Sequence, residues 1–181
     1  MHARLKSAVS ASSDAWKAWL AALLWLGLIA VESTNTLSAA NTGRFLYPLL
    51  HFLLGLDLVH FLTWHFFLRK TGHVIGYAVL SLLFYRAWKT TIPVIGDPPW
   101  SIVWARIAFT MTALVASLDE WHQTFLPSRT GTVNDILLDS TAALAAQILI
   151  YAWMHMLGRR PQAHAQLSSS GMTSKKTAST D

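Results

Sequence analysis

Four apolar stretches, each close to the length at which a helix can cross a bilayer, recur along this 181-residue sequence. Only 13% of the residues are charged, about half of what a typical soluble domain carries, and 53% are hydrophobic. So little charge cannot cover a water-facing surface, which argues against a soluble enzyme and against a disordered chain. We therefore predict an all-α integral membrane bundle of four transmembrane helices. The predicted spans are Trp16–Val31, Gly72–Trp88, Trp100–Leu118 and Asp135–Leu157.

A fifth apolar segment, Phe45–Leu68, is also long enough to cross a membrane, but it contains four polar residues, His51, Asp57, His60 and His65. At about 100° per residue these four scatter around a helix instead of forming one polar stripe. A helix that faces lipid on all sides does not tolerate them. We therefore predict that this segment is interfacial or re-entrant and lies on the outer side of the membrane.

The distribution of lysine and arginine favours four spans over five, because cytoplasmic loops of membrane proteins carry an excess of both residues. With four spans and both termini in the cytoplasm, nine of these residues fall inside, four fall outside, and Arg106 lies within the third span. A fifth span at Phe45–Leu68 would change the split to six against seven. The inside set is Arg4, Lys6, Lys17, Arg86, Lys89, Arg159, Arg160, Lys175 and Lys176, and the outside set is Arg44, Arg69, Lys70 and Arg129.

Polar tails flank the membrane region at both ends. We predict that residues 1–15 and 158–181 are cytoplasmic tails, the second one disordered, around a membrane domain at residues 16–157. The net charge of +5 is mainly a topology signal, and no concentrated basic face indicates a nucleic-acid partner. The chain has no cysteine, which excludes disulfides, zinc–thiolate sites and cysteine nucleophiles.

A cleaved signal peptide is the alternative interpretation of residues 1–40. Arg4 and Lys6 would form its charged start, and Ser38-Ala39-Ala40 would form its cleavage site. The stretch from Glu32 to Leu37 is unusually polar for the approach to such a site. We therefore favour an uncleaved membrane helix.

Polar residues at the ends of different spans meet at the outer membrane level under this topology. Lys70, His73 and Tyr77 follow helical i+3 and i+4 steps and therefore share one face of the second span. The others close the third span, occupy the following loop or open the fourth span. Charges near a bilayer are stable only when they are paired or hydrated, so we expect these residues to face one another. The predicted cluster is Lys70, His73, Tyr77, Asp119, Glu120, Gln123, Arg129, Asp135 and Asp139.

The loop at residues 125–132 is short, and its proline and glycine fix its shape. It can place Arg129 over the mouth of the bundle. A guanidinium suits bidentate contact with a carboxylate or a phosphate. Its partner could be Glu120 or Asp135, which would make the cluster a structural clamp, or it could be an anionic lipid head group or a cell-wall precursor.

Two further interpretations of the cluster involve chemistry. Glu120 and His73 could act as an acid–base pair, since burial can raise the pKa of a glutamate toward neutrality. However, no nucleophile motif accompanies them, so no catalytic residue is predicted. Metal binding by Asp119, Glu120, His122 and His73 is disfavoured because the first three spread around a helix instead of sharing a face. We expect no metal and no cofactor.

Four short motifs in a fixed order resemble the VanZ-like family. Its pattern is a K-x-x-H-x-x-x-Y helix, a helix end of the form D/S-E-x-x-Q, a P-G/S-R turn and a following aspartate that opens the last helix. Order and spacing match across residues 30–157. The corresponding residues here are Lys70-Thr71-Gly72-His73 with Tyr77, Asp119-Glu120-Trp121-His122-Gln123, Pro127-Ser128-Arg129-Thr130-Gly131 and Asn134-Asp135-Ile136.

The resemblance implies a small bacterial protein of the cytoplasmic membrane. The family is named for an accessory protein linked to resistance to glycopeptide antibiotics such as teicoplanin, and its biochemical activity is not settled. Asp139 lies where the family more often has a small residue or Asn. Besides membrane lipids, the expected partner of the outer cluster is lipid-linked envelope material or a glycopeptide. The alternatives are a membrane enzyme that acts on a lipid-linked substrate and a structural or partner-binding module.

Overall fold

The computed structural model describes the backbone of residues 2–127 and 129–177, and the side chains of residues 12–156 apart from positions 35, 40 and 128. In these residues the chain forms five α-helices and one short 3₁₀ turn, with no strand. The all-α prediction is confirmed. The elements are α1 (His2–Glu32), the 3₁₀ turn (Asn35–Leu37), α2 (Ala39–Leu54), α3 (Leu58–Thr91), α4 (Ile102–Gln123) and α5 (Val133–Thr177).

Three helical stretches within the described residues are long and apolar enough to cross a membrane: Ser12–Glu32, Ile102–Gln123 and Val133–Met156. They correspond to the first, third and fourth predicted spans. The predicted span Gly72–Trp88 lies inside α3 but is less hydrophobic, because its sequence includes His73, two tyrosines and an arginine. By length and composition alone, the structure therefore supports three spans where the sequence predicts four.

The segment Phe45–Leu68, predicted to be interfacial or re-entrant, is divided between two helices. Helix α2 ends at Leu54, Gly55 adopts a left-handed conformation with φ +65°, and Asp57 occupies the cap position before α3. A left-handed glycine and a capping aspartate are the usual signals for the end of one helix and the start of the next. The chain therefore forms a helical hairpin here, and α3 begins at Leu58 instead of Gly72.

Contacts between aromatic and polar side chains hold the two arms of this hairpin together. The rings of Tyr47 and Phe61 lie 5.3 Å apart, and Thr42 Oγ1 lies 3.1 Å from His65 Nε2. A side chain at Gly43 would touch the Phe61 ring. Because earlier residues of α2 meet later residues of α3, the arms are antiparallel.

Helix α3 is the element around which the other helices pack. Trp19 Nε1 in α1 donates to Thr91 Oγ1 at 2.9 Å, and Trp25 Nε1 donates to the carbonyl of Gly76 at 2.9 Å, so α1 and α3 are antiparallel. On the side of α4, the ring of Trp104 packs edge-on against Tyr85. These contacts run along the part of α3 that follows the hairpin.

Small and polar residues connect α3 to α5. Gln147 Nε2 donates to Ser81 Oγ at 2.8 Å and to the Ser81 carbonyl at 3.0 Å, while Ser81 Oγ donates to the carbonyl of Ala143 at 3.2 Å. Ala142, Ala143 and Ala146 are all buried. Small residues let helix backbones approach closely, and a buried hydrogen bond then fixes the pair within an apolar environment.

The chain divides into two compact units, Met1–Gln147 and Ile148–Asp181. The first contains every residue of the predicted polar cluster. In the second, the rings of Tyr151 and His155 lie 5.4 Å apart on α5. The backbone of α1 and α5 continues into the predicted tails at residues 1–15 and 158–181. The division into tails and membrane domain stays a prediction, and most of the side chains of those tails lie outside the described residues.

Candidate functional site

The polar cluster forms where one face of α3 meets the end of α4 and the start of α5. Lys70 Nζ forms an ion pair with Asp135 Oδ1, and His73 Nδ1 lies 3.3 Å from Asp139 Oδ2. One turn further along α3, the Tyr77 hydroxyl donates to Asp119 Oδ2 at 2.9 Å. The predicted shared face of α3 is therefore confirmed.

Asp119 and Gln123 form a local pair at the end of α4. Gln123 Nε2 donates to Asp119 Oδ2 at 3.0 Å, the same oxygen that accepts from Tyr77. The two residues are four apart and therefore lie on the same side of the helix. Their role in the structure is to hold the Tyr77 hydroxyl and so to connect α3 to α4.

Glu120 is the most deeply buried acid of α4, with a side chain that is only 2% exposed. Its Oε2 accepts a hydrogen bond from the backbone N–H of Thr132 at 2.8 Å. Its Oε1 is buried and has no hydrogen-bond partner among the described residues. The carboxylate is thus held at one oxygen, while the other points into the cluster.

Gly131 brings the loop after α4 against the helix end. A Cβ at this position would lie 2.1 Å from the backbone oxygen of Glu120 and 2.7 Å from Thr124 Cγ2. Only glycine permits such an approach of backbone to backbone. This contact places the neighbouring Thr132 N–H within reach of the Glu120 carboxylate.

Arg129 pairs with neither Glu120 nor Asp135, and the predicted carboxylate clamp is wrong on this point. Its Nη2 donates instead to three backbone carbonyls: Glu32, Thr34 at 3.1 Å and Leu37 at 3.2 Å. The last carbonyls of a helix have no partner within the helix and carry partial negative charge. Arg129 therefore binds backbone carbonyls at the end of α1 and in the following turn, and not a carboxylate.

Arg69, in α3, also binds the turn that follows α1. Its Nη1 donates to the Leu37 carbonyl at 2.9 Å, the carbonyl that Arg129 also contacts. Burial, together with the mutual repulsion of the two guanidinium groups, lowers the pKa of Arg129 from its ordinary value. The two guanidinium groups therefore concentrate positive charge at the turn that follows α1.

A cavity of about 260 Å³ opens beside the cluster, between the first turns of α3 and the loop before α5. Three cationic side chains line it, from Arg69, Lys70 and Arg129, together with the carboxylate of Asp135. Burial and the charge of Arg69 lower the pKa of His65, which favours the neutral imidazole. The remaining lining residues are Ala39, Leu62, His65, Phe66, His73, Gln123 and Thr130.

Several of these lining residues were not predicted as part of a site. Four of them precede the predicted second span, and the first three of these lie in the separately predicted segment Phe45–Leu68: Leu62, His65, Phe66 and Arg69. Their i+3 and i+4 steps lead directly to Lys70 and His73, so a helix continued backward from His73 would have included them.

Below the cavity, His73, Glu120 and Asp139 come together from three different helices. Each offers one possible ligand atom, and these atoms all lie within 4.8 Å of one another. Asp119 and His122 do not join them, since Asp119 is bonded to Tyr77 and Gln123 and His122 is exposed. The arrangement can share a proton between the imidazole and a carboxylate, or it can hold a cation.

A family model described as VanZ/LLP1 matches residues 18–155, which is most of the chain and contains all nine residues of the predicted cluster. The chain belongs to the VanZ/LLP1 family. The resemblance inferred from the four motifs is therefore confirmed, and the apolar helices are those of a multi-pass VanZ-like membrane protein. No curated protein and no solved structure matches the chain.

Proposed function

We propose that this VanZ-family protein binds the anionic head group of lipid-linked envelope material in the cavity at the outer mouth of its helix bundle. The observation that carries the proposal is the convergence of three cationic side chains and an apolar wall on one cavity of about 260 Å³. A phosphate attached to a hydrocarbon chain needs both features.

The charge of the cavity suits an anion. Lys70 is paired with Asp135, whereas the recorded hydrogen bonds of Arg69 and Arg129 are with neutral carbonyl groups. Carbonyl groups orient a guanidinium without cancelling its charge. Arginine is also the residue whose planar donors best match the oxygens of a phosphate. A phosphate would therefore meet two guanidinium groups that form no ion pair with a carboxylate in the described part of the chain.

The size of the cavity favours a head group over a glycopeptide antibiotic. Pockets that enclose drug-sized ligands measure about 300–1,000 Å³, and this cavity of about 260 Å³ is smaller than that range. A phosphate or a phosphosugar fits, whereas a glycopeptide is several times larger. Leu62 and Phe66 extend the lining toward the exposed apolar surface of the hairpin, where a lipid chain would lie.

This proposal includes a fourth span in the part of α3 that follows the hairpin, with both chain termini in the cytoplasm. The contacts of Trp19 and Trp25 support it, because they align Gly76–Thr91 with the apolar part of α1. The excess of lysine and arginine on one side, nine against four, gives the orientation. The membrane is the cytoplasmic membrane of a bacterium, as the family implies.

The hairpin of α2 and the start of α3 would lie at the outer membrane interface. Helix α2 has 16 residues and is therefore about 24 Å long, too short to cross a hydrocarbon core of about 30 Å. The surface of the hairpin is strongly apolar, with Phe45 78% and Phe52 85% exposed on α2 and Trp64 69% exposed on α3. Large exposed apolar patches mark surfaces that contact a membrane or another protein, and lipid at the interface would bury this one.

Reporter fusions give the orientation directly. A reporter inserted at residues 121–132 is expected to be active only outside the cell, and one at the C-terminus only inside, because the spans between them cross the membrane once. A reporter at Gly55 serves as the matched control for the hairpin and should report the outer side. A cytoplasmic signal from residues 121–132 would contradict the proposal.

Head-group binding is measured on the full chain in nanodiscs, with a polyprenyl phosphate as the probe and inorganic phosphate, phosphatidylglycerol and teicoplanin as comparisons. Arg69→Gln and Lys70→Gln should each weaken polyprenyl-phosphate binding by about tenfold, because each removes a charged donor from the cavity. Arg44→Gln is the control, since it removes an exposed cation of the same outer side that does not line the cavity.

The comparisons separate the possible ligands. Polyprenyl phosphate should bind more tightly than inorganic phosphate, because only the former also occupies the apolar wall. Equal binding by wild type and both cavity variants would contradict the proposal, as would teicoplanin binding that the cavity variants abolish. Release of phosphate from the probe would show that the cavity belongs to an enzyme, the alternative function that His73 and Glu120 beside it support.

A further inference from the structure

We propose that His73, Glu120 and Asp139 form a binding site for a single divalent transition-metal ion, with Zn²⁺ as the expected ion. The site adjoins the cavity through His73, and metal binding does not require that the cavity hold a lipid. It goes beyond the head-group proposal because the metal ion can be measured without any lipid.

Three helices deliver the three side chains to one point. His73 comes from α3, Glu120 from the last turn of α4, and Asp139 from the second turn of α5. One imidazole nitrogen and two carboxylate oxygens lie within 4.8 Å of one another. Nitrogen together with carboxylate oxygen is a ligand set that zinc accepts in proteins.

The spacing of His73 and Asp139 resembles that of two metal ligands. His73 Nδ1 and Asp139 Oδ2 are 3.3 Å apart, which is long for a hydrogen bond between charged groups, normally about 2.7–2.9 Å. Two ligands bound at 2.0–2.1 Å to a tetrahedral ion lie about 3.4 Å apart. This pair therefore needs almost no movement to bind a metal, and one oxygen of Glu120 lies within 4.8 Å of the other two ligand atoms.

Two buried carboxylate oxygen atoms lack a hydrogen-bond donor among the described residues. Asp139 is fully buried and Glu120 is 2% exposed, yet Asp139 Oδ1 and Glu120 Oε1 have no hydrogen-bond partner among the described residues. A buried ionised carboxylate is costly unless a positive charge or several donors compensate it. The nearby cation Lys70 is already paired with Asp135. A divalent ion between the two carboxylates would compensate both.

The surroundings of the cluster suit a metal site as well. Glu120 Oε2 accepts from the Thr132 N–H, which fixes the carboxylate from behind as outer partners of metal ligands commonly do. His73 also lines the cavity, so an ion has access from the outer mouth. Three protein ligands leave a fourth position open toward the cavity.

The experiment uses the full chain, purified in detergent with its affinity tag removed and stripped of metal by a chelator. After incubation with Zn²⁺, Mn²⁺ or Mg²⁺ at micromolar concentration, we expect one bound Zn²⁺ per chain, weaker Mn²⁺ binding and no Mg²⁺ binding, because Mg²⁺ seldom accepts imidazole. X-ray absorption at the zinc edge should show one imidazole and otherwise oxygen ligands. Less than stoichiometric zinc, or a spectrum with several imidazoles, would overturn the proposal.

Variants assign the ion to these residues. Glu120→Gln, Asp139→Asn and His73→Ala should each lower zinc affinity at least about a hundredfold, because loss of an outer partner alone costs 10–100-fold. The matched controls are Glu32→Gln and His122→Ala, which remove an exposed carboxylate and an exposed imidazole from the same end of the bundle. Unchanged affinity in Glu120→Gln and Asp139→Asn would place the ion elsewhere and refute the site. If a variant fails to fold, the number of zinc ions bound per wild-type chain still tests the proposal.

Discussion

Replacing Gly131 with alanine is expected to leave little folded protein. The new Cβ would lie 2.1 Å from the backbone oxygen of Glu120 and 3.1 Å from its carbonyl carbon. Both atoms belong to the last turns of α4, so no flexible side chain can move aside. We expect the free energy of unfolding to fall by about 3 kcal/mol or more, the range of severe steric substitutions. The measurement is the yield of monodisperse protein and its thermal midpoint in detergent.

Gly72→Ala is the matched control for this substitution. A Cβ at Gly72 meets no atom within 4 Å, and alanine favours a helix interior over glycine. This variant should therefore match the wild type or exceed it slightly. A Gly131→Ala protein with the thermal midpoint of the wild type would show that the loop does not dock on α4 as described.

Replacing Arg129 with alanine is expected to loosen the connection between α1 and the loop before α5. The substitution removes one charged donor from three carbonyls, those of Glu32, Thr34 and Leu37. Hydrogen bonds from charged donors contribute about 1.5–3 kcal/mol, so a loss of about 2–3 kcal/mol in the free energy of unfolding is expected. Faster proteolysis between α1 and α2 should accompany a lower thermal midpoint.

Two further variants test the cause of that loss. Arg129→Lys should restore only part of the stability, because a compact ammonium cannot reproduce the geometry of a guanidinium. Arg44→Ala removes an exposed cation of the same side and should have no measurable effect. If Arg129→Ala kept the wild-type midpoint, the three carbonyl contacts would not stabilise the fold.

Helical periodicity was sufficient to predict which side chains of α3 act together. Steps of three and four residues placed Lys70, His73 and Tyr77 on one face, and the structure pairs each of them with an acid. The identity of each acid could not be predicted. It depends on how α4 and α5 rotate about their axes, and packing of buried alanines sets that rotation.

No pattern of side chains in the sequence could predict the partners of Arg129. They are backbone carbonyls, which every residue possesses, and only the position of the end of α1 makes three of them accessible. The break of Phe45–Leu68 is a different case, because its signals were present in the sequence. Gly55 and Asp57, two residues apart, mark a helix end followed by a helix start.

The pairing between α3 and the last helix also constrains how the bundle is made. The ribosome completes α3 well before Asp135, so Lys70 emerges into the membrane environment without the acid that later compensates its charge. An uncompensated charge at that depth is unfavourable and keeps this part of α3 at the interface. This end of the bundle can therefore close only when α5 is inserted, and insertion of the final helix is the step that completes assembly.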